Sequence, residues 1–542
     1  MAPTSVHLCV ILHGLWGSPT HVAYLSESLI SHARSTTTHE ADGGEATRLE
    51  VLVSKVNGIS AGHLYDGIDV CAERVVEEID QEVRRLEEEG ATVVKFSMVG
   101  YSLGGLVARY VLGLLDSRSP SFFSSAAPKN FTTFASPWIG IPAYDSFWSR
   151  TFRYLGGRLL SRTGRQLYER DRFMPLRFAE DGADNKGARG RNQKIEAAPL
   201  LTIMADPRYG FYQALRKFDR VDVFANIVND RTVPFPTGAL ESHDPFAFAR
   251  VKAQEAAEKR GEMVRDKIDW RSGGLEITLY DDAPIISSFT RTAPPSSADS
   301  SSPPSRRRFR RRLRLPTPFR PSTYPVSRPK ALFVISLLPV LWPLSIVFLA
   351  TRSLVHTAQS SRRIRGARKK VGGGKEGWLE RVGIVLAEVA EAAGGDNPEH
   401  VVRLEGGGDG EGGSTGVRHE NDEKATSMTS ESSSTSSTSS STALLDSPSP
   451  SSSQTSASAS LSFSPTDSDL SAAALELGTD PTFSASQLSQ LRALNTLPQL
   501  RKHLVLLDVY FSHGAIVCRD RNFDQHQQGK EVVDWWARHF VL

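Results

Sequence analysis

The sequence predicts an α/β fold, a mostly parallel sheet flanked by helices. Three observations point there. Short apolar, β-branched runs alternate with helix-spaced segments over the first ~280 residues. The string Gly100-Tyr101-Ser102-Leu103-Gly104-Gly105 joins a strand-like run to a helical one. Folded character then returns near residue 485, after a long polar stretch. An apolar content of 39% and a formal net charge of +3 suit a globular chain with substantial polar inserts.

In chain order, runs at 10–12, 51–53, 93–99, 131–135, 200–204 and 221–228 read as strands, and 70–86 and 103–115 as helices. The lead from Met1 to Ser5 has no basic stretch before a short apolar run, so a first strand is expected and not a signal peptide. The Gly-rich stretch 182–194 is expected to loop out. Residues 1–283 form the core on this reading. The Ser/Pro/Arg-rich residues 284–330 have too little apolar surface to offset their ordering entropy and are expected as a disordered basic tether. An apolar segment follows at 331–351, then a basic stretch with a helix over 352–403, with residues 378–392 as the helical part. Gly/Ser/Thr-rich residues 404–484 read as a second tether. Residues 485–542, with strands at 504–507 and 515–517 and a helix at 532–542, complete the core, which makes the middle one long insertion. Only Cys9, Cys71 and Cys518 are present; no disulfide framework is implied, which favours a reducing compartment.

The chemistry gathers at residue 102. The β-rich run 93–99 precedes Gly100-Tyr101-Ser102-Leu103-Gly104, and a helical run follows it. That is the context a nucleophile elbow requires: a serine on a sharp strand-to-helix turn, with glycines where side chains would clash. The alternative is a Gly-rich turn in a nucleotide-binding α/β protein. Directly after the first strand, His13-Gly14-Leu15-Trp16-Gly17 supplies a loop of the kind that donates a backbone N–H to an oxyanion. The amides of Leu15 and Leu103 are the candidates, with His13, Gly14, Gly17, Gly100 and Gly104 supporting the motif. His13 is expected to orient the loop and not to act as the base.

The acid is expected after a later strand. Asp230 follows the run 221–228 within Asn229-Asp230-Arg231-Thr232-Val233-Pro234, at the carboxyl end where parallel sheets gather their functional groups. Asp206 is its rival; Asp222, inside the strand, is expected to be structural. The order serine, acid, histidine puts the base after Asp230. The candidates are His243, His356, His400, His419, His503, His513, His526 and His539, and His513, on a Ser-His-Gly loop tip, is preferred. The expected chemistry is hydrolysis of carboxylic esters through an acyl-enzyme, without cofactor or metal.

These residues resemble the fungal putative serine esterase family of the α/β-hydrolase superfamily, which includes a lipid-droplet phospholipase. The resemblance rests on His13-Gly14-Leu15-Trp16-Gly17, the stretch from Tyr65 to Val75, the Ser102 elbow, Thr133-Phe134-Ala135-Ser136-Pro137-Trp138-Ile139-Gly140, the stretch from Ser161 to Leu167, the Asp230 loop and the His513 segment. It spans 7–240 and 485–542, and implies an α/β-hydrolase fold and hydrolysis of glycerophospholipid or neutral-lipid esters. Ser136-Pro137-Trp138-Ile139-Gly140 departs from the Pro-His-Leu-Gly form the family leads one to expect, so no catalytic role is given to it. The long Ser/Gly-rich insert lies outside the family pattern.

The run 331–351 is uncharged and of a length that could cross a bilayer, but Pro339 and Pro343 would bend a helix there. Arginine-rich flanks at 306–314 and 362–370 favour the cytosolic face at both ends. One crossing would part Ser102 and Asp230 from His513, so a hairpin or shallow insertion on a membrane or lipid droplet is expected. A buried core helix is the alternative. The arginines beside an apolar run suit anionic lipid, not nucleic acid. Two competing functions remain: an esterase or thioesterase on acylated proteins or soluble esters, and a non-catalytic hydrolase-like membrane scaffold.

Overall fold

The computed structural model describes residues 4–37, 47–58, 62–144, 156–173, 197–260, 268–292, 328–371 and 481–542. Eight strands form one sheet: β1 (Thr4–Leu12), β2 (Arg48–Val53), β3 (Ala91–Tyr101), β4 (Ala127–Phe134), β5 (Arg220–Asn226), β6 (Leu275–Tyr280), β7 (Ala283–Arg291) and β8 (Leu500–Val505), in the order β2-β1-β3-β4-β5-β8-β7-β6. The pairs from β2 through β8 are parallel, and β7 and β6 close the edge as an antiparallel hairpin. This is the mostly parallel α/β sheet that the alternation of elements predicts.

Helices cover both faces, as a parallel sheet with two apolar faces demands. On one side α1 (Ala23–Thr37) packs with the C-terminal helix Asp524–Arg538, burying Leu25, Leu29, Val532 and Trp536 against Ile11, Val99 and Phe134. On the other, α2 (Ile68–Glu88) and α3 (Leu103–Asp116) bury Val75, Ile79, Leu106 and Tyr110 against Leu8, Phe96 and Met98. The segment that resumes at 481 completes the core. β8 inserts beside β5, pairing Val221 with Leu500 through Asn226 with Val505, so partners nearly 280 residues apart in sequence lie in neighbouring strands.

Several expectations give way. The run 200–204 is a helix (Leu200–Ala205), not a strand, and 515–517 begins on the last residue of a helical turn (Ser512–Ala515) and is not a strand either. Leu200, Leu201, Ile203 and Met204, like Ala515 to Val517, are buried, and apolar stretches this short do not separate the helical period from the strand period. The core does not stop at 283: residues 284–291 belong to β7, whose Ile285 pairs with Val505, despite the Ser-rich composition beginning there. Residues 293–327 and 372–480, with the stretches 182–194 and 378–392, the arginines 306–314, His400 and His419, lie outside the described residues.

The apolar run 331–351 lies inside one continuous helix, α4 (Arg328–Val371), which contains Pro339 and Pro343. It is neither a hairpin nor a core helix: Phe333, Leu337, Leu344, Val347, Phe348, Leu354 and Val355 are exposed. Stepped at about 100° per residue, these positions share one face of the helix. Among the described residues no helix is long and apolar enough to cross a membrane.

Candidate active site

Ser102 stands between β3 and α3 with φ 56 and ψ −126, a conformation that costs a non-glycine residue of order 1–3 kcal/mol and persists only where its surroundings impose it. Here the Ser102 N–H donates to the Phe134 carbonyl at 2.9 Å, and the Gly105 N–H donates to the Ser102 carbonyl at 3.0 Å. A Cβ on Gly104 would come within 2.7 Å of the carbonyl oxygens of Leu12 and His13, so the elbow can lie this close to the end of β1 only with glycine there. Leu103 is the first residue of α3, where a helix has N–H groups without intrahelical partners.

The loop after β1 faces the serine. A Cβ on Gly14 would sit 2.6 Å from the Ser102 Cβ and 3.1 Å from its Oγ. Gly14 to Gly17 form a turn closed by Gly17 N–H to Gly14 O at 3.0 Å, with Trp16 at φ 55 in its third position, a place that favours glycine when φ is positive. His13 is buried, which lowers its pKa, and its Nδ1–H donates to the Gly14 carbonyl at 3.0 Å. It braces the loop.

Two more strands deliver the other partners. Beyond β8, Ser512 donates its hydroxyl to the Val228 carbonyl at 2.6 Å and so ties the histidine turn to the acid loop. His513 Nδ1 lies 3.0 Å from Asp230 Oδ2, and His513 Nε2 lies 3.1 Å from Ser102 Oγ. A carboxylate beside Nδ1 keeps the proton on that nitrogen and leaves Nε2 to accept from the serine. The Tyr101 hydroxyl donates to the His513 carbonyl at 3.0 Å and its ring lies beside the imidazole, centroids 5.2 Å apart.

Asp230 is held as an anion. Its Oδ1 accepts from the Thr232 and Val233 N–H groups at 3.0 and 2.8 Å, and its Oδ2 from Asn226 Nδ2 at 3.0 Å. Burial alone would raise its pKa; the charge and hydrogen bond of His513, with those backbone and amide donors, outweigh burial and lower it. Ser102, Asp230 and His513 are all nearly inaccessible to solvent.

The rival residues lie elsewhere. Asp206 pairs with Arg208, and Asp222 with Arg501 and with His503 at 2.8 Å. His243 bonds Ser242, His356 stacks on Tyr65, His526 accepts from the Asp520 N–H and His539 stacks on Trp535. Trp138 of the divergent Ser-Pro-Trp-Ile-Gly string is a core residue, its indole donating to Thr133 Oγ1 at 2.9 Å with the Arg109 guanidinium over its ring. Sequence reasoning missed the contacts of Tyr101 and of the turn at residues 62–66, which depend on partners hundreds of residues away.

A serine hydroxyl bonded to an imidazole that is oriented by a buried carboxylate, beside two amide-bearing turns, is an arrangement able to carry acyl transfer. Comparison with known proteins agrees with it. Residues 2–244 match the putative serine esterase family (DUF676). The chain is 32% identical over 165 residues to the putative lipase C4A8.10 of Schizosaccharomyces pombe, covering 30% of this chain and 18% of that one. It is 28% identical over 235 residues to the putative lipase ROG1 of Saccharomyces cerevisiae, covering 43% and 28%. The matches thus span less than a third of these relatives' own length. Phospholipase PlaB from Legionella pneumophila, solved with thio-NAD, aligns over 43% of this chain and 41% of its own at 13% identity, with a TM-score of 0.24, too loose a likeness to bear on function.

Proposed function

We propose, for a chain whose residues 2–244 match the putative serine esterase family, that it hydrolyses carboxylic esters of lipids, glycerophospholipids foremost, at a membrane or lipid-droplet surface facing the cytosol. The observation that carries the chemistry is the continuous hydrogen-bonded chain from Ser102 Oγ through His513 to Asp230. His513 Nε2 takes the hydroxyl proton as Ser102 Oγ bonds to the ester carbonyl carbon. The oxyanion receives the N–H groups of Leu15 and Leu103. The tetrahedral intermediate expels the alcohol, which takes the proton from His513, and leaves an acyl-enzyme. Water then attacks with His513 again as base, releasing the fatty acid and restoring the serine. Asp230 holds the imidazole tautomer and stabilises the imidazolium that forms.

The choice of lipid rests on helix α4. Its exposed apolar stripe suits shallow insertion among acyl chains, and the arginines at 306–314 and 362–370 suit anionic headgroups. Lying on the surface leaves Ser102, Asp230 and His513 on one side of the membrane.

The test is release of fatty acid from phosphatidylcholine/phosphatidylserine vesicles by the full chain. Release by the wild type and its loss in Ser102→Ala are expected. Undiminished release by that variant removes the nucleophile, and turnover of a water-soluble ester alone moves the substrate to soluble esters or acylated proteins.

A further inference from the structure

Helix α4 has a second half, and it does not face solvent alone. From Ser353 onward the helix lies against the hydrolase. The Ser353 hydroxyl donates to the Leu159 carbonyl. His356 stacks on the ring of Tyr65, centroids 5.2 Å apart, and Ser360 is buried. Arg363 makes the strongest contact. Its Nε donates to Asp66 Oδ2 at 3.1 Å, and its Nη2 to Asp66 Oδ1 and the Gly62 carbonyl, both at 2.7 Å.

Such a forked guanidinium–carboxylate pair fixes geometry as well as charge. The Asp66 side chain is fully buried and is paired also with Arg74. Burial would raise its pKa, but bonds from Arg363 and Ser360 and the charge of Arg74 keep it low. The carboxylate is therefore an anchored point, not a solvated surface group.

The turn that α4 grips, from Gly62 to Asp66, meets the loop after β1 at Trp16. The Tyr65 hydroxyl accepts the indole N–H of Trp16 at 3.0 Å. Trp16 is the residue of the loop after β1 that carries a left-handed φ of 55, and its side chain is otherwise 54% exposed. A strained, exposed tryptophan keeps its conformation only if something holds it. The indole bond to Tyr65 fixes its side chain, alongside the Gly17–Gly14 turn bond and the His13 brace on its backbone, and Trp16 is covalently next to Leu15.

We infer that helix α4 clamps the loop after β1 through a relay from Arg363 to the 62–66 turn, Tyr65 and Trp16, making Arg363 and Tyr65 positioning residues for the Leu15 N–H. The inference rests on the reading of Leu15 as an oxyanion donor. The same helix carries the apolar stripe at one end and the grip on this loop at the other, so seating the stripe in lipid bears on the geometry of the active site.

The test uses the full chain as wild type, Tyr65→Phe, Arg363→Ala, Arg363→Lys and the Tyr65→Phe/Arg363→Ala pair. Two readouts are taken: hydrogen exchange of the amides at 13–17, and kcat and KM on a short-chain nitrophenyl ester that needs no membrane. Tyr65→Phe and Arg363→Ala should each speed exchange at 13–17 and lower kcat about three- to tenfold, with KM within about twofold. Arg363→Lys should recover part of the loss, and the pair should be no worse than the poorer single variant, because both cut one relay. Unchanged exchange at 13–17 overturns the clamp whatever the activity does. Faster exchange with unchanged kcat overturns its role in positioning the oxyanion donor, as does a multiplicative loss in the pair. Faster exchange in a protein whose wild type turns over no ester upholds the clamp and rejects the hydrolase reading instead.

Discussion

A single methyl group tests how closely the site is built. Alanine at Gly14 would place its Cβ 2.6 Å from the Ser102 Cβ, inside any allowed contact, so the loop must retreat and carry the Leu15 N–H with it. Gly14→Ala should lower kcat on a soluble ester by about 10²-fold, the scale of losing one oxyanion donor, with the melting temperature little changed. Near-wild-type kcat would show that the loop after β1 takes no part. Asp230→Asn should cost about 10⁴-fold in kcat, since an amide cannot hold the imidazole tautomer; a loss under tenfold would reassign the acid. Away from the site, burial, with Lys95 and Lys129 nearby, lowers His7 from 6.5 to about 3. The unfolded chain binds a proton at His7 as pH falls through 6.5, and the native chain does not. Stability present above pH 6.5 is therefore lost on acidification, by up to about 1.4 kcal/mol per unit down to pH 3. Denaturant midpoints should fall more steeply below pH 6.5 in the wild type than in His7→Asn; equal slopes contradict this.

At the scale of elements, legibility followed locality. Gly100 to Gly105 and Asn229 to Pro234 are contiguous, so the elbow and the acid loop could be read directly, whereas His513 needed the rule of chain order. Nothing local to Arg363 marks it, because its meaning is a contact across nearly 300 residues, and the stretch from Tyr65 carries a resemblance without showing that its hydroxyl meets Trp16. The runs at 200–204 and 515–517 are too short and too apolar for their periodicity to tell helix from strand. β7 was lost to its Ser287-Ser288, polar residues on an edge hairpin. The joint between β5 and β8 is the element contact on which the site depends, since it brings the His513 and Asp230 loops together. Phe224 is its hub, stacked on Phe134 at 4.6 Å and on His503 at 4.5 Å. Phe224→Ala should destabilise the chain by about 3–5 kcal/mol, read as a denaturant midpoint shift; a change under about 1 kcal/mol would mean the terminal segment docks by other contacts.

The whole molecule joins the buried hydrogen-bonded chain of Ser102, His513 and Asp230 to a helix with exposed apolar residues. Leu344, Val347 and Phe348 are each more than 60% exposed, and side chains of this size gain about 1.5 kcal/mol or more apiece on leaving water. Replacing all three by serine should weaken partition onto anionic vesicles by about 10²–10³-fold while kcat on a soluble ester changes far less. Unaltered vesicle binding would place the lipid contact elsewhere. The fold class was readable from the alternation of strands and helices. The attachment of α4 was not, since an uncharged run flanked by arginines carries no mark of the protein surface against which its far end rests.

The most direct measurement is the site and rate of labelling by a fluorophosphonate, which reacts only with a serine activated by its neighbours. Intact wild-type protein should carry the label on the peptide containing Ser102, and His513→Ala, still folded by circular dichroism, should label at least 10³-fold more slowly. Labelling of a different serine, or equal rates in the two proteins, would contradict the convergence of Ser102, His513 and Asp230 into one catalytic unit.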